Sequence, residues 1–527
     1  MNVVFDGAPR PLVVDAAGAS RADAAAIAAG IPSRALMRCA GAAAAAELAR
    51  RVPDLLSDGV LIATGAGNNG GDGWVVAQAL HAAGIAVRVV ECAEPRTPDA
   101  RAERDAATAC GITVVHDVEA IANGGERVLV DALLGTGFRA DSELRDPIAR
   151  AVATVATRAA RGSTVVALDV PSGLDASSGA SRGDLQATLT LTFGSVKRGQ
   201  LVARERCGEI VALDIGLGAH VQSTNGDPLA DARWFRTALP RIRADAHKGT
   251  RGKVAIVGGA RGMAGASILA ARAALHSGAG LVKCVVAPES LPAVQEGVPA
   301  ALAAEWPSDD PSAQREIGEW ADAVLIGPGL GRDGSRSMVE RLLRTFTGPV
   351  VLDADALSAF AGDADALAPL LKDRAALLTP HPAEFARLAG GAATVEGVLA
   401  DRFEWPARMA ARTGAAVLLK GVPTVVASAS GGTTIAAEGT PILATGGAGD
   451  LLGGVAVALL AQTRDGGLAG ALAAFAHGRA AFDVSARAVR GYTLDDVLLE
   501  LPKVWSLDAP LPRPPVIAEL PPVGEAR

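Results

Sequence analysis

A chain of 527 residues is too long for one hydrophobic core and predicts two to four domains. Half of its residues are apolar, the formal net charge is −7 and the pI is near 5.6, so a nucleic-acid or anionic-membrane partner is excluded. Five scattered cysteines (Cys39, Cys92, Cys110, Cys207, Cys284) lack CxxC spacing and predict reduced core thiols; with no signal-like N-terminus and no bilayer-length apolar run, the expected location is cytoplasmic.

Short β-branched runs alternate with Ala-rich helical segments, the pattern of parallel α/β sheets. In the first half the strands are Val60–Thr64, Val87–Glu91, Val128–Asp131, Val165–Val170 and Leu189–Phe193. The first of these runs into Gly65-Ala66-Gly67-Asn68-Asn69-Gly70-Gly71-Asp72-Gly73 and a helix to His81, with Gly84 as its stop. The run contains G-x-G-x-x-G between a strand and a helix, with Glu91 ending the next strand, as in a dinucleotide fingerprint. Asp72, however, sits where a pyrophosphate would approach, and a cation or ligand hydroxyls would be needed to resolve that conflict. Asp131, ahead of Gly135-Thr136-Gly137, and Asp169, in Asp169-Val170-Pro171-Ser172-Gly173, are further acidic strand ends, which open α/β sheets turn toward ligands.

These motifs, with Thr190-Leu191-Thr192-Phe193-Gly194 and Lys197, resemble the NAD(P)H-hydrate epimerase domain over roughly Leu12 to Gly218, and Asp23 to Gly41 is similar to that family's first helices. The resemblance implies that Asn68, Asn69, Gly70, Gly71, Asp72, Gly135, Thr136, Gly137, Phe138, Arg139, Ala140, Asp141 and Asp169 hold the hydrated dinucleotide, and that Asn69, Asp131 and Ser172 surround a potassium ion. Asp169 is the expected acid/base, with Asp72 second. Phe138 and Arg38 depart from the family's usual leucine and acid.

Gly218–Ala230 is polar and without periodicity, and predicts a linker. Beyond it the strands are Val254–Val257, Leu281–Val286, Ala323–Ile326, Val350–Asp353, Ala376–Thr379 and Ala416–Leu419. Gly258–Gly262 and Gly327-Pro328-Gly329-Leu330-Gly331 are glycine loops at strand ends, His381 is held between Pro380 and Pro382, and Lys420 stands beside Gly421 where it could meet phosphate. Thr445-Gly446-Gly447-Ala448-Gly449-Asp450 then opens an apolar helix, Leu451–Gln462. Unpaired N–H groups and the helix dipole make such a turn an anion hole. A carboxylate placed there suits a base that takes a hydroxyl proton during phosphoryl transfer. Six prolines between Pro510 and Pro522 predict an irregular, exposed tail.

With His247-Lys248-Gly249, these motifs resemble the ribokinase-type fold and, within it, ADP-dependent NAD(P)H-hydrate dehydratases, over roughly Pro240 to Leu501. By that resemblance Ala266, Gly329, His381 and Asp450 contact the hydrated substrate, while Lys420, Gly421, Val422, Pro423, Thr424 and Gly449 contact the adenine nucleotide. Thr440 and Leu443 replace the family's frequent Asn and Met.

The expected fold is therefore α/β throughout: a Rossmann-like doubly wound domain over 1–218, a linker over 219–230, a ribokinase-like α/β domain over 231–508 and a Pro-rich tail over 509–527. The expected function is bifunctional repair, epimerising R- and S-NAD(P)H hydrates and dehydrating the S form with ADP, Asp450 serving as base. Potassium and magnesium are the expected ions, and the expected partners are the hydrates and ADP, with self-association as a homo-oligomer. The competing reading is an ATP-dependent vitamin-pathway kinase fused to a dinucleotide-binding regulatory domain.

Overall fold

The computed structural model describes residues 10–221, 224–306, 311–331, 335–486, 490–506 and 511–523; the two ends of the chain and parts of the expected linker and tail fall outside these. The chain divides into two compact units, Met1–Pro228 with Pro510–Arg527, and Leu229–Ala509.

In the first unit the strands are β1 (Leu12–Val14), β2 (Val60–Thr64), β3 (Val87–Glu91), β4 (Thr113–Val115), β5 (Val128–Ala132), β6 (Thr164–Leu168), β7 (Leu189–Phe193), β8 (Val196–Lys197), β9 (Glu209–Leu213), β10 (Asp227–Pro228) and, from the far end of the chain, β20 (Val516–Leu520). The main sheet has the order β20-β9-β7-β6-β5-β2-β3-β4, parallel except where β20 runs against β9. The chain winds outward from β2 to β4 and then returns to β5, so the ends of β2 and β5 flank the switch point where doubly wound sheets bind ligands. Strands buried on both faces explain the continuous apolar runs: all five residues of β2 and of β5 are buried. The helices Ser33–Arg51 and Asn68–Ala82 cover one face through Leu36, Ala44, Leu48 and Trp74. Ile148–Ala160 covers the other through Val152 and Val155.

Two expectations are corrected here. The tail is not irregular throughout, because Val516, Ala518 and Leu520 are buried as β20 and Glu519 pairs with Arg51. The prolines are interrupted between Pro515 and Pro521, and the alternation in that gap is that of a one-sided edge strand. The linker is partly ordered: Gly218–Val221 is helical and β10 pairs with β1, which also meets β8.

The second unit carries β11 (Lys253–Val257), β12 (Leu281–Val286), β13 (Leu302–Glu305), β14 (Ala323–Ile326), β15 (Val350–Leu352), β16 (Ala376–Leu378), β17 (Ala416–Leu419), β18 (Thr424–Ala427) and β19 (Thr433–Ala436). They form one sheet, β13-β12-β11-β14-β15-β16-β17-β18-β19, parallel up to β17 and antiparallel after it. Ala264–His276, Ala448–Thr463, Gly466–Ser485 and Leu494–Ser506 pack on one face, and Ser335–Thr345, Pro382–Ala389 and Trp405–Thr413 on the other. Each of the eleven strands expected from sequence is present, with ends displaced by at most two residues. Among the described residues no helix is long and apolar enough to cross a membrane.

Candidate active sites

In the first unit the ends of β2, β5, β6 and β7 open into a cavity of about 830 Å³. Asn68, Asn69, Asp72, Gly135, Thr136, Gly137, Phe138, Arg139 and Asp169 line it. Gly70, Gly71, Ala140 and Asp141 do not. A Cβ on Gly70 would lie 2.1 Å from the Gly65 carbonyl oxygen, and one on Gly71 would lie 2.5 Å from Met37 Cε. Gly70 thus lets the helix sit against the loop that follows β2, and Gly71 lets it pack against Met37 and Ala100 of neighbouring helices. The helix starts at Asn68 without a side-chain cap, and the N–H groups of Asn68, Asn69 and Gly70 find no acceptor among the described residues.

Asp131 is wholly buried at the end of β5, where it accepts from Ser172 Oγ (2.6 Å), Ser172 N (2.7 Å) and Leu133 N (3.2 Å). Burial raises its pKa, and the bonds from Ser172 and Leu133 oppose the rise. Asn69 donates through Nδ2 to the Leu134 carbonyl (2.8 Å), which leaves its buried Oδ1 without a partner. Asn69, Asp131 and Ser172 thus converge as expected.

Asp169 has φ +62°, in the left-handed region that non-glycine residues adopt uncommonly. Its Oδ1 accepts from Lys197 Nζ at 2.6 Å, and the Lys197 ammonium, itself 1% exposed, also donates to Thr192 Oγ1 (2.8 Å) and the Phe193 carbonyl (2.9 Å). Asp72 makes no hydrogen bond among the described residues. Burial, reinforced by Asp169 and Asp23, pushes its pKa well above the ordinary carboxyl value, with Lys197 pulling the other way. Glu91 is withdrawn from any ribose: it is buried and paired with Arg104 (3.0 Å) and His116 (3.2 Å). Arg38 pairs with Glu103 at 2.7 Å away from the cavity, which accounts for that departure, whereas Phe138 is part of the wall.

In the second unit Gly447 (φ +93°) turns the chain into the helix Ala448–Thr463, and Asp450 occupies its first turn. The Ala448 N–H returns to the Thr445 carbonyl (3.1 Å), so the donors left for an anion are those of Gly447, Gly449 and Asp450, which have no acceptor among the described residues. Lys420, at the end of β17, pairs with Asp353 Oδ1 at 2.6 Å; a Cβ on Gly449 would lie 3.1 Å from Lys420 Nζ and 3.8 Å from Asp353 Oδ2. Asp353 is 1% exposed and its Oδ2 has no partner. Burial raises the Asp450 pKa to about 6, helped by Asp353, Asp355 and Glu384 against Lys420. Burial works against the charge of Lys420, but Asp353, Glu384 and Asp450 outweigh it and its pKa is raised.

His381 caps the helix Pro382–Ala389, accepting from Ala383 N (3.2 Å) in a capping box with Glu384. Burial lowers its pKa against the pull of Glu384, so it is neutral near pH 7 and half-exposed toward the same carboxylates. Gly329 faces Ala266, since a Cβ on it would lie 3.1 Å from the Ala266 Cβ. Asp355 Oδ2 accepts from Gly331 N (2.9 Å) and ties the glycine loop to the Asp353 turn. Gly421, Val422, Pro423 and Thr424 form the β17–β18 turn, closed by Thr424 Oγ1 donating to the Gly421 carbonyl (2.7 Å). The residues missed from sequence are Lys197 as a site residue and Asp353. Asp353 ends a β-branched run as Asp131 and Asp169 do, so the same rule would have found it.

A family model described as YjeF-related protein N-terminus matches residues 33–199, and one described as NAD(P)H-hydrate dehydratase matches residues 254–503. The bifunctional NAD(P)H-hydrate repair enzyme Nnr of Salinibacter ruber is 39% identical over 468 residues, 82% of this chain and 84% of that protein. The chain belongs to this family of repair enzymes. The proteins of the same name from Moorella thermoacetica (37% over 505 residues, 90% of this chain and 92% of that one) and Escherichia coli (34% over 452 residues, 84% of each) are similar in the same way. Among solved structures, an ADP/ATP-dependent NAD(P)H-hydrate dehydratase from Bacillus subtilis is similar at 27% identity and TM-score 0.46, covering 53% of this chain and 98% of that one. The relatives carry the repair activity in their names, and the kinase reading gives way to it. Both units have the expected α/β class, Rossmann-like in the first and ribokinase-like in the second.

Proposed function

We propose that the first unit interconverts the R and S hydrates of NADH or NADPH and that the second dehydrates the S form at the expense of ADP. The observation that carries this reading is Asp450, a carboxyl with pKa about 6 beside unpaired amides and Lys420. At pH 7 it is ionised yet basic enough to take the proton of the substrate 6-hydroxyl as that oxygen attacks the terminal phosphorus of ADP. AMP leaves, and the amides of Gly447 and Gly449 stabilise the transferred phosphoryl group. The ring nitrogen then expels inorganic phosphate, and loss of a C5 proton restores the dihydronicotinamide. Ala266, Gly329 and His381 support binding of the hydrate, and Lys420–Thr424 with Gly449 that of the nucleotide. The surplus of carboxylates around Lys420 suits a nucleotide carrying magnesium, which would neutralise phosphate charge, rather than a bare polyanion.

For epimerisation Asp169, held at 2.6 Å by Lys197, is the base, and the raised pKa of Asp72 favours it as the proton donor. Asp169 would take the hydroxyl proton while Asp72 protonates the ring nitrogen, opening the C6–N1 bond to an aldehyde that recloses on its other face. An amide oxygen, a hydroxyl and one carboxylate suit a singly charged hard cation, and the unpartnered Asn69 Oδ1 supports a potassium ion held with Asp131 and Ser172. Potassium there would offset the Asp131 charge beside an anionic dinucleotide.

The test is Asp450→Asn in the full chain, assayed on mixed NADH hydrates with ADP. Dehydration is abolished and R/S exchange persists; a variant that still consumes ADP and restores NADH absorbance refutes the assignment.

A further inference from the structure

We propose that Arg402 is a phosphate-binding residue of the second unit, placed to meet the adenine nucleotide beside the β17–β18 turn; this rests on the nucleotide reading given above. Arg402 lies between the helices Val395–Ala400 and Trp405–Thr413 and is 7% exposed. Its Nη1 donates to the Val422 carbonyl (3.1 Å), its only hydrogen bond among the described residues, and its buried Nε has none. No carboxylate among them lies within ion-pair distance of it. Arg51, by contrast, is paired with Glu47, Glu209 and Glu519, and Arg88 with Glu126.

A guanidinium carries five donors and stays charged, and a buried charge without a counter-ion is costly. Burial alone depresses the Arg402 pKa, with no anion to raise it. The fold keeps this strained cation against one loop. Gly421 has φ +142°, and a Cβ there would come within 2.3 Å of Arg402 Nη2. A side chain at 421 would push the guanidinium away from the turn that also presents Lys420.

The local charge balance gives that cation a task. Lys420 is already matched by Asp353, and Asp450, Asp355 and Glu384 add further negative charge around it. Magnesium carried by the nucleotide would offset part of this negative charge, and a protein cation facing the phosphates would offset more. Arg402 is positively charged, uncompensated and next to the turn, and its planar fork matches phosphate oxygens. A purely structural role would consist of the single bond to the Val422 carbonyl, which holds the turn whether or not a nucleotide is bound.

Titration calorimetry on the full chain separates the two, with ADP and adenosine as probes. Arg402→Gln is expected to weaken ADP about ten- to hundredfold, the range for a lost charge-assisted bond, and to leave adenosine within about twofold. Arg402→Lys, which keeps the charge and stem without the fork, should lose ADP severalfold and adenosine not at all. Equal losses for both probes, or no loss of ADP in either variant, would overturn the proposal. Should Arg402→Gln fail to fold, the lysine variant decides by the same criterion. A wild-type chain that binds no ADP would instead refute the nucleotide reading.

Discussion

Asp353→Asn removes one charge from the centre of the second unit and should move the acid limb of dehydration. The Asp450 pKa, about 6, lies roughly two units above its ordinary 3.8, which corresponds to about 3 kcal/mol against ionisation. Burial is the largest cause and Asp353 the next. A Cβ on Gly449, the residue before Asp450, would lie 3.8 Å from Asp353 Oδ2, so the two carboxyls share the start of this helix. Two like charges about 8 Å apart at an effective dielectric constant of about 20 repel by about 2 kcal/mol, or about 1.5 units, which sets the order of the effect. The substitution also releases Lys420 from its 2.6 Å partner, and the unbalanced ammonium favours the Asp450 anion in the same direction. The acid limb of kcat/KM for ADP-dependent dehydration, followed by NADH absorbance, should fall from about pH 6 to about 4.5–5. The maximal rate should drop as well, since Lys420 loses the anchor that holds it beside Gly449. A limb that stays near pH 6, or rises, refutes the view that Asp353 sets the basicity of Asp450.

Four further outcomes follow from the same reasoning. An acid whose folded pKa is raised stabilises fully below its unfolded value of 3.8 and loses that stability as pH climbs toward the folded value, so Asp72→Asn should raise Tm at pH 7.5, match wild type near pH 4 and slow R/S exchange. His477 is the opposite case: burial lowers its pKa from 6.5 to about 4, so wild type should lose about 3 kcal/mol as pH falls through that window, and His477→Leu should remove that loss in urea titrations. Ser172→Ala should raise the potassium concentration needed for half-maximal epimerisation without altering ADP-dependent dehydration, and equal potassium dependence in both proteins would count against the ion site. Truncation after residue 510 removes Val516 and Leu520 from the first sheet at a cost of about 1.5–3 kcal/mol each, so it should lower the unfolding midpoint of that unit; an unchanged midpoint would show that β20 contributes nothing.

What was legible from the sequence follows burial. Strands covered on both faces announce themselves as unbroken β-branched runs, and β2, β3, β7, β12, β14 and β17 begin and end where those runs do. Edge strands carry a weaker mark. β4 is three residues with an exposed threonine, and β20 alternates behind a proline cluster that reads as a loop. The hairpin β18–β19 had a turn signal, Ser430-Gly431-Gly432, that a search for parallel strands passes over. At the sites, glycine spacing located the two helix starts, but it could not say which glycines face ligand. Gly70 and Gly71 carry the motif yet serve packing, and only their approach distances to Gly65 and Met37 show it. Lys197 and Arg402 were hidden for the same reason: their roles depend on partners, or the lack of them, far away in sequence.

The two units share an electrostatic arrangement although their sheets differ in order. In each, a buried lysine grips an aspartate at the carboxyl end of the sheet at 2.6 Å: Lys197 with Asp169, and Lys420 with Asp353. In each, a second carboxyl sits near the start of the helix that follows a glycine-rich loop (Asp72 in the second turn, Asp450 in the first), with its pKa raised by burial and by the gripped aspartate and lowered by the lysine. The pair is neutral as a whole, so the second carboxyl gains little from the lysine and keeps the penalty of burial. Its proton affinity is then set by enclosure. Asp72, wholly enclosed and faced by Asp23 as well, is raised well above the ordinary carboxyl value, and Asp450, less enclosed, is raised to about 6. A raised proton affinity suits a carboxyl that donates to a departing ring nitrogen, whereas one raised only to about 6 can accept from an attacking hydroxyl at pH 7. The same three side chains would thereby supply an acid to one unit and a base to the other, and the difference between the two reactions would rest on how deeply the third carboxyl is enclosed.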